Sequence, residues 1–311
     1  MKAEKMFSGF VTAYLFLGGA GAGSLIVLSF IELLDTLQQV TKKRLLPLWP
    51  INLLRELFRR CWPICLIVLM VASLCLFVDL GRPDRVLMLF LAPRFSAITI
   101  GSFSLILSIL CALVFSVFRT FDSVSLPNSY SLVFCISGIA AGITTALYTG
   151  ILLNELVSVL FWNSFFIPLL FFLSSLSMGI ACVLSGGALV VSRRSAYRAF
   201  KRLCRFDGAL IILEMLCLGA WLIFALIAPT TKDTVQVFLS GELSWIFWLG
   251  LIFCGMVIPL FLEFRITENN HSSQMLWIAF LIIVGGFVLR YCIVEAAAYD
   301  ITQILFVLPH F

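Results

Sequence analysis

The chain has 311 residues, of which 62% are hydrophobic and only 12% charged. Water-soluble domains carry roughly a quarter charged residues, so this composition excludes the soluble, two-domain protein that the length by itself suggests. The net charge of +5 arises from 21 Lys and Arg against 16 Asp and Glu. The basic residues flank apolar runs, which points to a membrane surface and away from nucleic acid.

About 20 apolar residues in a helix, at ~1.5 Å each, cross a ~30 Å hydrocarbon core. Eight segments have that length: Phe10 to Leu34, Pro63 to Leu80, Ile98 to Phe118, Tyr130 to Leu153, Phe165 to Val191, Gly208 to Ala228, Leu243 to Phe264, and Met275 to Ala298. Barrel strands would read as ~10-residue alternating stretches. The expected fold is therefore an all-α integral membrane protein with eight transmembrane helices. The first apolar run is too long for a cleavable signal peptide and lacks a convincing small-residue cleavage site, so it is expected to remain as a span.

The first helix carries Gly18, Gly19, Gly21 and Gly23, a cluster suited to close helix packing in lipid or to a planar ligand. The second ends in Asp79-Leu80-Gly81-Arg82-Pro83-Asp84-Arg85. Asp79 is poorly placed for the dipole at a helix C-terminus and is expected to pair with Arg82 or Arg85. The fourth helix closes with Tyr148-Thr149-Gly150, where a tyrosine is either an interfacial anchor or a hydrogen-bonding group for a ligand carbonyl. The fifth has Gly179, Gly186 and Gly187. The two glycine-rich segments recur four helices apart, which suggests two four-helix halves, 1–160 and 161–311, in the same orientation. Ionisable residues then appear inside the later helices: Glu214 in the sixth, Glu263 in the seventh, Arg290 and Glu295 in the eighth. Such groups face a protein interior or a water path, and they either form an Arg–Glu lock between helices or line a route for protons.

With eight spans both termini share one face. The opposite face carries Lys42, Lys43, Arg44, Arg55, Arg59, Arg60, Arg119, Arg193, Arg194, Arg198, Lys201, Arg202, Arg205 and Arg265, fourteen in all. The terminal face carries six, namely Lys2, Lys5, Arg82, Arg85, Arg94 and Lys232. The positive-inside rule then places both termini outside. His271 and His310 both fall outside the predicted spans, so haem b has no axial ligand there. The ten cysteines show no Cys-x-x-Cys pair or four-Cys cluster, so no Fe–S cluster is expected on this chain. No Walker motif, zinc pattern or nucleophile elbow is present.

In chain order the sequence carries Tyr14-Leu15-Phe16-Leu17-Gly18-Gly19, the Asp79-to-Arg85 turn, Tyr148-Thr149-Gly150, Leu160-Phe161-Trp162-Asn163, Pro168-Leu169-Leu170-Phe171, and Gly285-Gly286-Phe287-Val288-Leu289-Arg290-Tyr291. This ordered set resembles the NrfD/PsrC family of polysulfide-reductase-type membrane subunits. The resemblance implies two four-helix bundles and a quinone site near the outer face. It also implies residence in a bacterial cytoplasmic membrane and exchange of electrons with quinol, menaquinol among the candidates. The implied partner is a four-cluster ferredoxin-like Fe–S subunit on the outer face, feeding a molybdopterin-type catalytic subunit. Tyr148 matches the family's quinone-contacting tyrosine. The family's site also uses a histidine just before the first glycine cluster; here Tyr14 is the nearest polar residue. The expected site is thus Tyr148 and Tyr14 on the quinone oxygens, with Asp79 accepting a proton or orienting Arg82. A secondary transporter and a structural anchor without quinone chemistry are the competing readings; uptake by the isolated chain, or an Fe–S partner without bound quinone, would favour one or the other.

Overall fold

The computed structural model describes residues 9–42, 46, 49, 51–80, 97–121, 127–155, 160–188, 194–228, 231–241, 243–266 and 271–307. These form eight helices long and apolar enough to span a bilayer: α1 (Gly9–Thr41), α2 (Ile51–Leu80), α3 (Ala97–Thr120), α4 (Asn128–Asn154), α5 (Phe166–Ala188), α6 (Arg194–Ile227), α7 (Ile246–Phe264) and α8 (His271–Val307). No strand occurs among the described residues. The chain is an all-α, multi-pass membrane protein, as its apolar runs dictate.

Several helices overrun the apolar segments. The helix α2 starts at Ile51 rather than Pro63, which lies within it. Leu53, Leu54, Leu57, Phe58, Cys61 and Trp62 are buried, while Asn52, Arg55, Glu56, Arg59 and Arg60 are exposed. This helical-period alternation continues the helix beyond the purely apolar stretch, with the arginine heads reaching toward water. Cys61 and Cys65 therefore sit within α2. A similar amphipathic extension carries α6 back to Arg194: Tyr197, Phe200 and Cys204 are buried and Arg198, Arg202 and Arg205 exposed.

The centre of the molecule is the α1–α5 pair. In each, 78% of the most apolar stretch is buried within the protein, against 28% in α2 and in α7. Around them α1 packs on α2 and α4, with α3 between those two. Beyond them α5 packs on α6 and α8, and α7 rests on α8 and α6. The α1–α5 crossing depends on Gly23 and Gly179. A Cβ on Gly23 would overlap the Ser175 carbonyl, and one on Gly179 would overlap the Gly23 backbone. Two backbones in van der Waals contact maximise dispersion where lipid provides no hydrophobic drive between helices. A second close crossing joins α7 to α8, where a Cβ on Gly255 would stand 2.7 Å from the Gly285 Cα. There α7 winds with π-type hydrogen bonds from Ile246 to Val257 before resuming α geometry at Ile258–Phe264. Pro259 has no N–H for the Gly255 carbonyl, and the wider turn ahead of it absorbs that missing bond.

Candidate functional site

Toward the terminal face, Tyr14 from the start of α1 meets Tyr148 from the end of α4. Both side chains are buried, 1% and 4% exposed, and their phenols are neighbours close enough to interact. The Tyr14 hydroxyl has no hydrogen-bond partner among the described residues. A buried hydroxyl without a partner forfeits on the order of 1–3 kcal/mol, so its position favours a ligand that accepts or donates there. Small residues surround the pair, and one of them makes room for it. Gly101 of α3 leaves its side-chain space to the Tyr148 ring, which a Cβ would overlap. A Cβ on Gly18 would lie 3.6 Å from the Tyr14 ring and 3.8 Å from the Thr149 methyl. Thr149 turns its hydroxyl back to the Ala146 carbonyl at 2.7 Å, which leaves its methyl toward Gly18.

Of the other predicted site residues, Asp79 belongs to the last turns of α2. Its side chain, and the whole of Arg82, lie outside the described residues.

Arg290 is completely buried between α1, α5 and α8. Its Nε donates to the Leu15 carbonyl at 3.0 Å, and Nη1 donates to the Gly286 carbonyl at 2.9 Å and to Ser174 Oγ at 3.2 Å. Nη2 donates to Ser175 Oγ at 3.0 Å and to the Phe171 carbonyl at 3.4 Å. The guanidinium also lies 5.0 Å from the Phe171 ring centroid, a cation–π geometry strengthened by burial. Among the described residues no carboxylate is within ion-pair distance of Arg290; hydroxyls and carbonyls meet its donors instead. Because Leu15 follows Tyr14, Arg290 holds the turn of α1 that presents the phenol.

From Arg290 a line of polar groups runs toward the basic face. Ser174 lies beside Glu214 of α6. Glu214, Ser174 and Ser177 line a small cavity of about 10 Å³ between α5, α6, α7 and α8, room for roughly one water. Two turns before Glu214 on α6 stands Asp207, 0% exposed, which faces Ser177 and the 3%-exposed Glu263 of α7. Glu295 is half-buried on α8. In the first half of the chain, Glu32 of α1 forms an ion pair with Arg119 of α3, and the Arg119 guanidinium lies 5.3 Å from the Phe58 ring centroid. Asp35, one turn on, accepts from Gln39 at 3.1 Å.

Sequence reasoning does not find Gly101, Asp207 or the Glu32–Arg119 pair. Asp207 lies just before the segment expected as the sixth span, where it resembles a loop residue; its seven-residue spacing from Glu214 on one helix face is the available signal. Gly101 carries none, because its role is to leave space for a ring 47 positions away.

The fold and these groups define a polytopic helical membrane protein whose interior carries a phenol pair near one face and a line of ionisable side chains near the other. Among the described residues no three His, Cys, Asp or Glu side chains gather as a metal-holding group. The chain belongs to the polysulphide reductase NrfD family, whose model matches residues 1–302. It is similar to a subunit of the polysulfide reductase of Wolinella succinogenes, 29% identical over 158 residues that cover 48% of each protein. It is also similar to protein NrfD of Escherichia coli, 28% identical over 153 residues and again 48% of each. The NrfD homolog of Haemophilus influenzae is 28% identical over 160 residues, 48% of this chain and 47% of that one. The chain thus spans about half the length of the curated relatives it matches.

Proposed function

We propose that this chain is the quinone-interacting membrane subunit of a respiratory oxidoreductase complex in a bacterial cytoplasmic membrane. It exchanges electrons between membrane quinol, menaquinol being the first candidate, and an Fe–S partner docked on the terminal face. That partner feeds a molybdenum-containing catalytic subunit. The excess of Lys and Arg on the opposite face supports a periplasmic position for both termini.

The observation that carries this reading is the buried Tyr14–Tyr148 contact with one hydroxyl left unpartnered. Quinol oxidation releases two electrons and two protons. The residues of this chain suit that chemistry at a carbonyl or hydroxyl oxygen. Tyr148 holds one oxygen through its phenol, and Tyr14 adds a second hydrogen bond from a position fixed by Arg290 through Leu15. Asp79 and Arg82 stand, by sequence, at the same face, where a carboxylate can accept a released proton. The pair is shielded from lipid by α3 and α5, so its hydrogen bonds act in a low dielectric.

Changing Tyr148 to Phe removes the hydroxyl and keeps the ring packed on Gly101. Quinol oxidation by the complex is expected to slow while assembly in the membrane is unchanged, read as turnover with a short-chain naphthoquinol and as co-purification of the partner subunits. Unaltered turnover would remove Tyr148 from the site.

A further inference from the structure

Two buried carboxylates near the basic face have no donor to satisfy them. Neither oxygen of Asp207 and neither oxygen of Glu263 has a hydrogen-bond partner among the described residues. No Lys or Arg among those residues forms an ion pair with either. The two nevertheless lie together: a Cβ on Gly208, the residue after Asp207, would stand 3.0 Å from Glu263 Oε2, and the two carboxyl groups face each other. Two ionised carboxylates offer only acceptors and repel, so contact between them requires a proton on one. Ser177, 2% exposed, faces the pair, and its hydroxyl is also without a partner among the described residues. Ser177 also lines the water-sized cavity that Glu214 borders. The remaining titratable neighbours are Cys204 of α6, beside both carboxyls, and Glu214, with Arg290 beyond it.

We propose that Asp207 and Glu263 share a single proton and pass it through Ser177 and the cavity to Glu214. The Ser177 hydroxyl accepts a proton from the pair as it releases its own to a water in the cavity, and that water protonates Glu214. The pair is then left with two negative charges and is refilled from the basic face, where α7 ends one residue past Glu263. Glu214 stands about 10 Å further along α6 at the helical rise, next to Ser174 and so one hydrogen bond from Arg290. Moving charge toward Glu214 thus brings it to the residue that fixes the Tyr14 turn. The hand-over rests on the quinol reading above; the shared proton does not.

The test uses the whole complex, purified from its native membrane through a tag on this chain. Infrared spectra in H2O and D2O read the carbonyl stretch of a protonated carboxyl. A band that shifts in D2O is expected in the wild type and is lost in both Asp207→Asn and Glu263→Gln. Absence of the band from the wild type, or its persistence in both variants, overturns the shared proton. In proteoliposomes with a short-chain naphthoquinol as donor and ferricyanide as acceptor, proton uptake from the basic-face compartment accompanies turnover. That uptake is expected to be lost in both variants while uncoupled quinol oxidation stays near the wild-type rate. Uptake absent from the wild type, or unchanged in both variants, overturns the hand-over. If the wild-type complex oxidises no quinol, the quinol reading and the hand-over fall together, and the infrared result still decides the pair.

Discussion

The two halves of the chain bury carboxylates toward the same face and neutralise them differently. In α1, Glu32 has the Arg119 guanidinium of α3 as its ion-pair partner, and the whole unit is held by Phe58 beneath the arginine. In α6 and α7, Asp207 and Glu263 have each other and no cation among the described residues. A carboxylate in lipid is costly unless it is paired or protonated. A cation fixes the charge state permanently and makes a brace. A shared proton leaves a group able to change its charge, at the expense of rigidity. The first half, which holds the phenol pair, is braced; the second, which lines the cavity, is not.

That contrast requires the halves to act as one body, and the α1–α5 seam is where it breaks most easily. Gly23→Ala places a methyl on the Ser175 carbonyl and is expected to destabilise by about 3 kcal/mol, the upper range of overpacking. The measurement is the thermal midpoint of the detergent-solubilised protein. The matching change at Gly219, where a Cβ meets nothing within 4 Å, is expected to stabilise by up to about 1 kcal/mol, the helix-propensity difference.

Arg119→Met turns the first half into a copy of the second by stranding Glu32. Losing one partner of a buried pair costs about 3–5 kcal/mol; since Arg119 is 32% exposed, the expected loss is nearer to about 2 kcal/mol. The double change Glu32→Gln with Arg119→Met should recover most of it. No recovery would mean that the arginine acts through its packing on Phe58 and not through the carboxylate.

The same substitution should have opposite signs in the two halves. Glu32→Gln weakens a charge-assisted bond and is expected to lower stability by about 1 kcal/mol. Glu263→Gln gives Asp207 an amide donor and is expected to raise stability by a similar ~1 kcal/mol. Midpoints that move in the same direction would erase the distinction between brace and shared proton.

The smallest expected change in stability comes from Tyr14→Phe. Its hydroxyl has no partner to lose and its burial is itself unfavourable, so the midpoint should hold or rise by no more than about 1 kcal/mol, while quinol oxidation slows. A large destabilisation would show that the hydroxyl is structurally engaged and would weaken its assignment to a ligand.

Much of the fold is legible because a transmembrane helix declares itself locally. The helix ends are less so: α2 and α6 continue through arginine-studded turns whose burial depends on a neighbouring helix, and an apolar count stops where the charges begin. At the site, Tyr14 and Tyr148 follow from motif order and do meet. By sequence Arg290 is an arginine awaiting a glutamate; the packing of Ser174 and Ser175 one position apart on α5 supplies its acceptors instead.

The sequence by itself determined the class of protein and the number of crossings, because eight apolar runs of sufficient length need no partner to be recognised and leave no other stable arrangement in lipid. Only the tertiary structure decided which polar groups share a pocket. The Arg290 bond to Leu15 closes 275 positions, and the Asp207–Glu263 contact joins two helices. Contacts of that kind follow from how glycine-lined helices cross, a property of paired surfaces that no single helix encodes.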